Sequence, residues 1–443
     1  MKARDVGRRF GRANALVVAM IVVLSGLLVG LHVDGYTKLS PVDELQHIDY
    51  LDRAPGHPSP TDRVGQFAMH QQLCRGMDFE GFGPPGCVRG RLDPDNFQER
   101  GYNTASIYTP LYYTATKVVA SGIELVTPAD DLVTSGRLVG GFWLALGALL
   151  LFAAGRRRGL DRGPLAAICV LLVSGPALLY PSSTIAPDAT ALALSAGLVL
   201  ALTWVEERPT KRRIAVLVLI ATIAPLVKMT YLCSVAVVAL YLLIRWLRGL
   251  QRGERAHWPL VTGAVAAVTA LAGTFAWTSY VSSMPQISDE ALPDMATRFQ
   301  VGAFPWYGIG DSLFVLLQPL SNPWVLVGTP QLVVLACTLG TLTVTAGTVA
   351  TAIFGVGQER EQDLARATII SGIACSIGLI VISYVTSGSY IPLPSRYGMA
   401  LIAPLALSTV ACVRTRTSSA ILWGIAAASL VLTLWRLVDL NLA

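Results

Sequence analysis

The sequence predicts an all-α polytopic membrane protein, with about eleven transmembrane helices and a long outer loop after the first that carries amphipathic juxtamembrane helices. Three observations predict it. Of 443 residues, 53% are hydrophobic and only 14% charged, at a mean hydropathy of +0.55, more apolar surface than a soluble fold of this length needs to bury. Apolar runs long enough to cross a hydrocarbon core of about 30 Å recur along the chain. Between them the basic residues form short clusters, so the net charge of +6 reads as a topology signal and not as a nucleic-acid footprint.

Residues 1–12 are a basic N-terminus, with Lys2, Arg4, Arg8, Arg9 and Arg12, expected in the cytoplasm. Ala13–Val33 resembles a signal peptide, but it is long enough to span and lacks a clear small-residue cleavage site, so 13–33 is read as a retained first helix. Residues 34–131 form the outer loop. Within it Ile107–Val126 is apolar but carries Lys117 and Glu124, and is expected to lie on the outer leaflet. If it spanned, the Arg156–Arg158 cluster would face outward, against the charge bias. Helices two to seven occupy 132–280, as Leu132–Ala154, Pro164–Tyr180, Pro187–Val205, Ile214–Val227, Tyr231–Leu247 and Trp258–Tyr280. A second outer loop covers 281–323. Trp324–Phe354, Ala367–Val385, Tyr397–Val413, Ser419–Leu437 and a short tail complete 324–443. The connections at Arg156–Arg158 and Arg162, at Arg208 and Lys211–Arg213, at Arg245–Arg255 and at Arg414–Arg416 are basic and expected inside.

The two outer loops must fold in water or against helix ends, because a bilayer cannot satisfy their backbone. Cys74 and Cys87 share the first loop, where a disulfide is chemically permitted and would close a short Gly/Pro-rich segment; the other cysteines fall in or beside apolar runs, and no zinc spacing exists. The second loop carries Asp289, Glu290, Asp294 and Arg298, then Phe304, Trp306 and Tyr307, aromatics suited to the headgroup layer.

Directly after the first helix, the run from Ser40 to Tyr50 reads as a helix start, with Ser40 as N-cap and Pro41 at the first helical position. Asp43 then takes the third position of a capping box. Capping accounts for one acid. It does not account for adjacent Asp43 and Glu44 with His47 one turn beyond Asp43, all at the membrane surface. Transfer of a sugar to a hydroxyl needs a carboxylate to accept the acceptor's proton. Both readings stand, as does the choice between Asp43 and Glu44.

With these motifs the chain resembles the glycosyltransferase C superfamily, polytopic membrane enzymes that use polyprenyl-phosphate sugars. The acidic motif in the first outer loop is followed by a proline-led helix, Tyr108-Thr109-Pro110-Leu111-Tyr112-Tyr113. Pro187-Asp188-Ala189, Lys228-Met229-Thr230-Tyr231 and Ser395-Arg396-Tyr397 recur in a related bacterial membrane family of largely unassigned function. The similarity covers most of the chain through motifs that are each short.

The resemblance implies an inverting glycosyltransferase of the cell membrane, acting on the outer face in cell-envelope or wall biogenesis. Asp43 is its general base and the lipid phosphate its leaving group. The implied partners are a polyprenyl-phosphate sugar donor, membrane lipid, and a glycan or lipid acceptor. Arg396 can offer phosphate a bidentate guanidinium, or is an interfacial arginine; Lys228 assists. Asp188 is a supporting residue, or an acid favoured by the helix dipole alone. His47 orients Asp43, binds acceptor, or is an ordinary hydrogen-bonding histidine. Tyr112 and Tyr113 stack on sugar or anchor in the interface. Some members hold a divalent cation; adjacent Asp43 and Glu44 depart from the Asp-x-Asp pattern, so metal stays open and no other cofactor is expected. Many members also carry a large soluble C-terminal domain, whereas here the last helix ends at about Leu437, leaving acceptor recognition to the outer loops or a partner protein.

Two other functions fit a many-helix membrane protein: a transporter or flippase of a lipid-linked intermediate, and a non-catalytic scaffold of the same fold. The topology itself is directly testable. On intact cells, an impermeant thiol reagent is expected to label cysteines placed between Asp52 and Asp62 and to miss ones placed at Arg156–Arg158; the reverse pattern inverts the map.

Overall fold

The structure, a computed structural model, describes residues 3–77, 86–127, 129, 131–288, 299–321 and 331–442. Asp289, Glu290, Asp294 and Arg298, and the first residues of the helix expected from Trp324, lie outside the described residues. The helices are α1 (Ala3–Gly35), α2 (Glu44–Arg53), α3 (Gln66–Arg75), α4 (Leu111–Val126), α5 (Leu132–Arg157), α6 (Arg162–Ser174), α7 (Pro176–Ser182), α8 (Ala191–Glu207), α9 (Lys211–Val227), α10 (Leu232–Gln251), α11 (Trp258–Ser282), α12 (Trp306–Ser312), α13 (Gln331–Ile353), α14 (Glu359–Ser387), α15 (Ile402–Cys412) and α16 (Arg416–Leu442).

Among the described residues nine segments are long and apolar enough to cross a membrane: α1 from Ala13, α5, α8, α10, α11, α13, α14, α15 and α16. Three of them are entered through 3-10 turns, Pro187–Thr190 before α8, Met229–Tyr231 before α10 and Ser395–Leu401 before α15. The protein is a polytopic all-helical membrane protein. α9, with 17 residues, is roughly 26 Å long and opens on Lys211, Arg212 and Arg213, whose stems can reach the headgroups. The straight span expected over Pro164–Tyr180 is instead a broken pair, α6 and α7, bent by 56°. Gly175 is extended there, and Pro176 has no N–H with which to continue the ladder.

Two buried polar hubs mark the ends of the bundle. At one, Arg137 of α5 grips Glu44 of α2 in a bidentate pair, Nε–Oε1 2.8 Å and Nη2–Oε2 2.7 Å. The remaining carboxylate sites accept from the Ser40 and Ile185 amides, and the guanidinium also donates to the carbonyls of Tyr36 and Lys38. At the other, fully buried Arg158 pairs with Glu206 at 2.9 Å and Glu361 at 3.2 Å, joining the ends of α5 and α8 to the start of α14. Nearby, Arg248 holds Glu359 at 2.6 Å and Asp363 at 2.8 Å. Arg137 and Arg158 are 21 residues apart on one helix and its cap, roughly 31 Å at 1.5 Å per residue, which is the thickness of a hydrocarbon core.

The first loop packs onto the Glu44 end. α4 does not cross the bundle: Thr109 just before it donates to Leu226 O of α9 at 2.7 Å, Lys117 to Asp52 O at 2.6 Å, and Glu124 near its end accepts from Ser135 of α5 at 2.7 Å. Its outward stripe of Leu111, Val118, Leu125 and Val126 is exposed. Cys74 and Cys87 are joined in a disulfide. In the second loop Trp306 and Tyr307 are exposed, whereas Leu316, Leu317 and Leu320 are buried, so its last part packs into the bundle. Thr345 of α13 donates to Leu317 O at 2.7 Å, and Gly398 leaves room for the Leu316 carbonyl, which a Cβ would overlap.

Replacing Arg137 by Leu leaves Glu44 charged and buried, a loss of about 3–5 kcal/mol for a pair of this kind. A marked fall in the melting temperature of the detergent-solubilised chain is expected, and a wild-type value would show that the pair bears no weight.

Candidate active site

Glu44 sets the conformation of its neighbours. The helix expected to begin after Ser40 starts three residues later, at Glu44, because Glu44 draws the Ser40 amide onto Oε2 at 2.6 Å and closes a turn over Pro41–Asp43. Ser40 does not cap the helix: its hydroxyl accepts from the Val42 amide at 3.1 Å and from Tyr180 Oη at 2.7 Å. The N-cap position falls to Asp43, which is left-handed, φ 58° and ψ 12°, and makes no side-chain cap bond. Such a backbone costs an ordinary residue about 1–2 kcal/mol, and Asp tolerates it better than most. The capping-box role is therefore not filled by Asp43. The two adjacent acids point apart, Glu44 with 1% of its side chain exposed and Asp43 with 37%.

Asp43 faces a small cavity, partly open to solvent, whose wall also holds His47, Tyr108, Tyr180, Asp188, Lys228 and Arg396. Four helical segments start at this wall: α2 at Glu44 and the three 3-10-led helices that carry Asp188, Lys228 and Arg396 at their entries. Their positive dipole ends gather at one place and favour an anion there. Lys228 Nζ holds Asp188 Oδ2 at 2.5 Å, both largely buried. Arg396 Nη2 stands 4.0 Å from Asp43 Oδ2, and its Nε is buried without a hydrogen-bond partner. The Tyr397 ring lies under both cations, 5.4 Å from Lys228 Nζ and 5.8 Å from Arg396 Cζ.

Burial pushes the Asp43 carboxyl above the usual carboxylate range; Arg396 and Lys228 pull against it and Asp188 adds to it. His47 is driven down to about 3, chiefly by burial, with Asp188 opposing and Lys228 and Arg396 contributing, so the imidazole is neutral at pH 7. Its Nδ1 is 2.7 Å from Tyr113 Oη. Burial lowers the Lys228 amine, and Asp188 holds it up.

Five of the residues singled out from sequence thus meet in one cavity: Asp43, His47, Asp188, Lys228 and Arg396. Glu44 does not join them, since both its oxygens are taken inside the protein. Tyr112 and Tyr113 are buried, 3% and 0% exposed, and neither anchor an interface nor line the cavity; Tyr113 stacks on Tyr50 at 3.8 Å and backs His47. Cys74 and Cys87 lie elsewhere in the loop. Tyr108 and Tyr180 were not foreseen; Tyr108 opens the Pro-Leu-Tyr-Tyr motif, while nothing local in the sequence marks Tyr180. Among the described residues no cluster of His, Cys, Asp or Glu is placed to hold a metal ion. The cavity's donor set does not fit a divalent cation either, because Asp188 is already held by Lys228 and the one remaining carboxylate, Asp43, is too few oxygen donors for such an ion.

Residues 94–389 match the family described as "Predicted membrane protein (DUF2142)". The chain belongs to the DUF2142 family. The match includes Asp188 and Lys228; Asp43, His47 and Arg396 lie outside it. No curated protein matches the sequence. Among solved structures, the single-particle cryo-EM structure of arabinofuranosyltransferase AftD from Mycobacteria is similar over 88% of this chain and 26% of that one, at 15% identity and a TM-score of 0.40.

With its proton affinity so reduced, His47 is expected to show no titration between pH 5 and 8 in ¹⁵N-imidazole spectra of the full chain, assigned by loss of the signal in His47→Gln. A midpoint near 6.5 would mean that water reaches the ring freely.

Proposed function

We propose that this DUF2142 protein is a membrane glycosyltransferase that moves a sugar from a polyprenyl-phosphate donor to an acceptor hydroxyl, with Asp43 as general base. The observation that carries the reading is a carboxylate without a hydrogen-bonded cation beside the unpartnered Nε of Arg396, in a cavity ringed by helix entries. The acceptor oxygen attacks the anomeric carbon from the face opposite the phosphate, its proton passes to Asp43, and the carbon–phosphate-oxygen bond breaks with its electron pair leaving on the phosphate. That geometry inverts the anomeric centre. Charge grows on the departing phosphate as the bond lengthens, and Arg396 and Lys228 are placed to receive it. Asp188 keeps Lys228 charged and in place against the cost of its burial. Neutral His47 accepts or donates one hydrogen bond to substrate while Tyr113 occupies its other nitrogen.

The cavity lies at the end of the bundle opposite Arg158 and its neighbouring basic connections, and the positive-inside rule supports reading it as the outer face, with the N-terminus in the cytoplasm. A lipid-borne donor reaches it from the bilayer, and the first loop contributes Ser40, Val42, Asp43, His47 and Tyr108 to its wall.

One observation favours a second reading. The break between α6 and α7 leads into the residues Tyr180, Pro181 and Thr184 of the cavity wall, and broken helices at a binding site are a transporter feature. Movement of the same lipid-linked sugar without a new glycosidic bond would establish that reading.

In membranes supplied with polyprenyl-phosphate sugars, Asp43→Asn is expected to lower transfer by about 10²–10⁴-fold with an unchanged melting temperature. Retained transfer removes Asp43 from the chemistry. Because the base works deprotonated and burial raises its pKa, activity is expected to fall on acidification at a higher pH than an ordinary carboxylate would give; an acid limb at the ordinary value of 3.8 or below would contradict the assignment.

A further inference from the structure

We propose that a phosphate entering the cavity takes Arg396 away from Asp43, so that the donor itself releases the carboxylate that then acts on the acceptor. The inference rests on the reading of the cavity as a phosphate-sugar site. The two ion pairs there differ in kind. Lys228 and Asp188 are locked at 2.5 Å, a charge-assisted hydrogen bond. Arg396 and Asp43 are 4.0 Å apart, beyond hydrogen-bond reach, and Arg396 Nε donates to nothing. A guanidinium with its Nε unspent matches the oxygens of a phosphate better than a carboxylate held at that distance.

The groups that face Asp43 are Arg396 and Tyr397 from the turn before α15, Lys228 from the α9–α10 connection, Asp188 from the turn before α8, Tyr108 from the first loop and His47 from α2. Lys228 is hydrogen-bonded to Asp188, whereas Arg396, which also feels the Asp188 charge, is tied to neither carboxylate by a hydrogen bond, so Arg396 is the cation that can leave Asp43. Neutralising it with phosphate raises the proton affinity of Asp43 and makes it the stronger base. Donor binding therefore precedes activation of the acceptor, and a hydroxyl lodged alone in the cavity meets a weakened base.

The test follows the protonated-carboxyl infrared band of the purified full chain, assigned to Asp43 by its loss in Asp43→Asn. It is titrated alone and with saturating farnesyl phosphate, farnesol or inorganic phosphate, with binding followed in parallel by calorimetry. Farnesyl phosphate is expected to raise the Asp43 midpoint by about one pH unit and farnesol to leave it. In Arg396→Gln the midpoint is expected to start high and gain nothing from ligand. An equal rise with inorganic phosphate assigns the exchange to the phosphate group alone, and a rise with farnesyl phosphate only assigns it to a lipid-borne phosphate. Binding with an unmoved midpoint overturns the exchange and leaves the phosphate site standing. If neither phosphate binds, the phosphate reading of the cavity falls, and the exchange falls with it.

Discussion

Removing Glu44 and Arg137 from water costs several kcal/mol per ion, and only a contact that satisfies nearly all of their hydrogen-bonding sites can offset it. The protein meets that condition by bringing four segments to one point. The stretch just after α1 supplies carbonyls, the turn before α2 supplies the Ser40 amide, α5 supplies the arginine, and the α7–α8 connection supplies the Ile185 amide. Each segment is held because the ions need it. Asp43 is a by-product of the same demand. With Glu44 turned inward and tied back to Ser40, the three intervening residues have little room, and Asp43 takes the left-handed conformation that aims its carboxylate away from Glu44 and into the cavity.

The bilayer fixes the second dimension. Arg137 and Arg158 sit one hydrocarbon thickness apart along α5, so each end of that helix terminates in a polar cluster and its middle packs through glycine. Gly140, where a Cβ would overlap the Ser182 carbonyl, lets α5 approach α7 closely enough to bring the bend of the broken helix against the bundle. The cavity wall around Tyr180 depends on that approach.

Much of this was legible in the sequence because bilayer crossing has a plain signature: long apolar runs, basic connections, and an amphipathic stretch with Lys117 and Glu124 that does not cross. The meeting of Asp43, Asp188, Lys228 and Arg396 followed from each standing at the same end of its helix. What was not legible depends on partners remote in sequence. Nothing near Glu44 announces Arg137, which is 93 positions away, so two adjacent acids looked equivalent when one is a buried structural anion. Proline at position 41 suggested a helix start, and a distant guanidinium overrode it. The break at Gly175-Pro176 was hidden because its two halves are apolar enough to read as one span.

The cavity's side chains sum to no net charge, two carboxylates against Lys228 and Arg396. Under the proposed reaction the sugar-bound phosphate enters with about one negative charge and leaves approaching two at neutral pH, since a monoester's second pKa is near 6. A cavity matched to the entering donor by side chains alone would then be mismatched to the departing group. The four helix entries resolve this, because their partial positive charges are fixed by the backbone and need no counter-ion of their own. They act weakly on the donor's single charge and more strongly on the charge that develops as the bond breaks. That is the difference between ground and transition state on which a rate enhancement depends. On the proposed reading, that difference is what the four helix entries contribute.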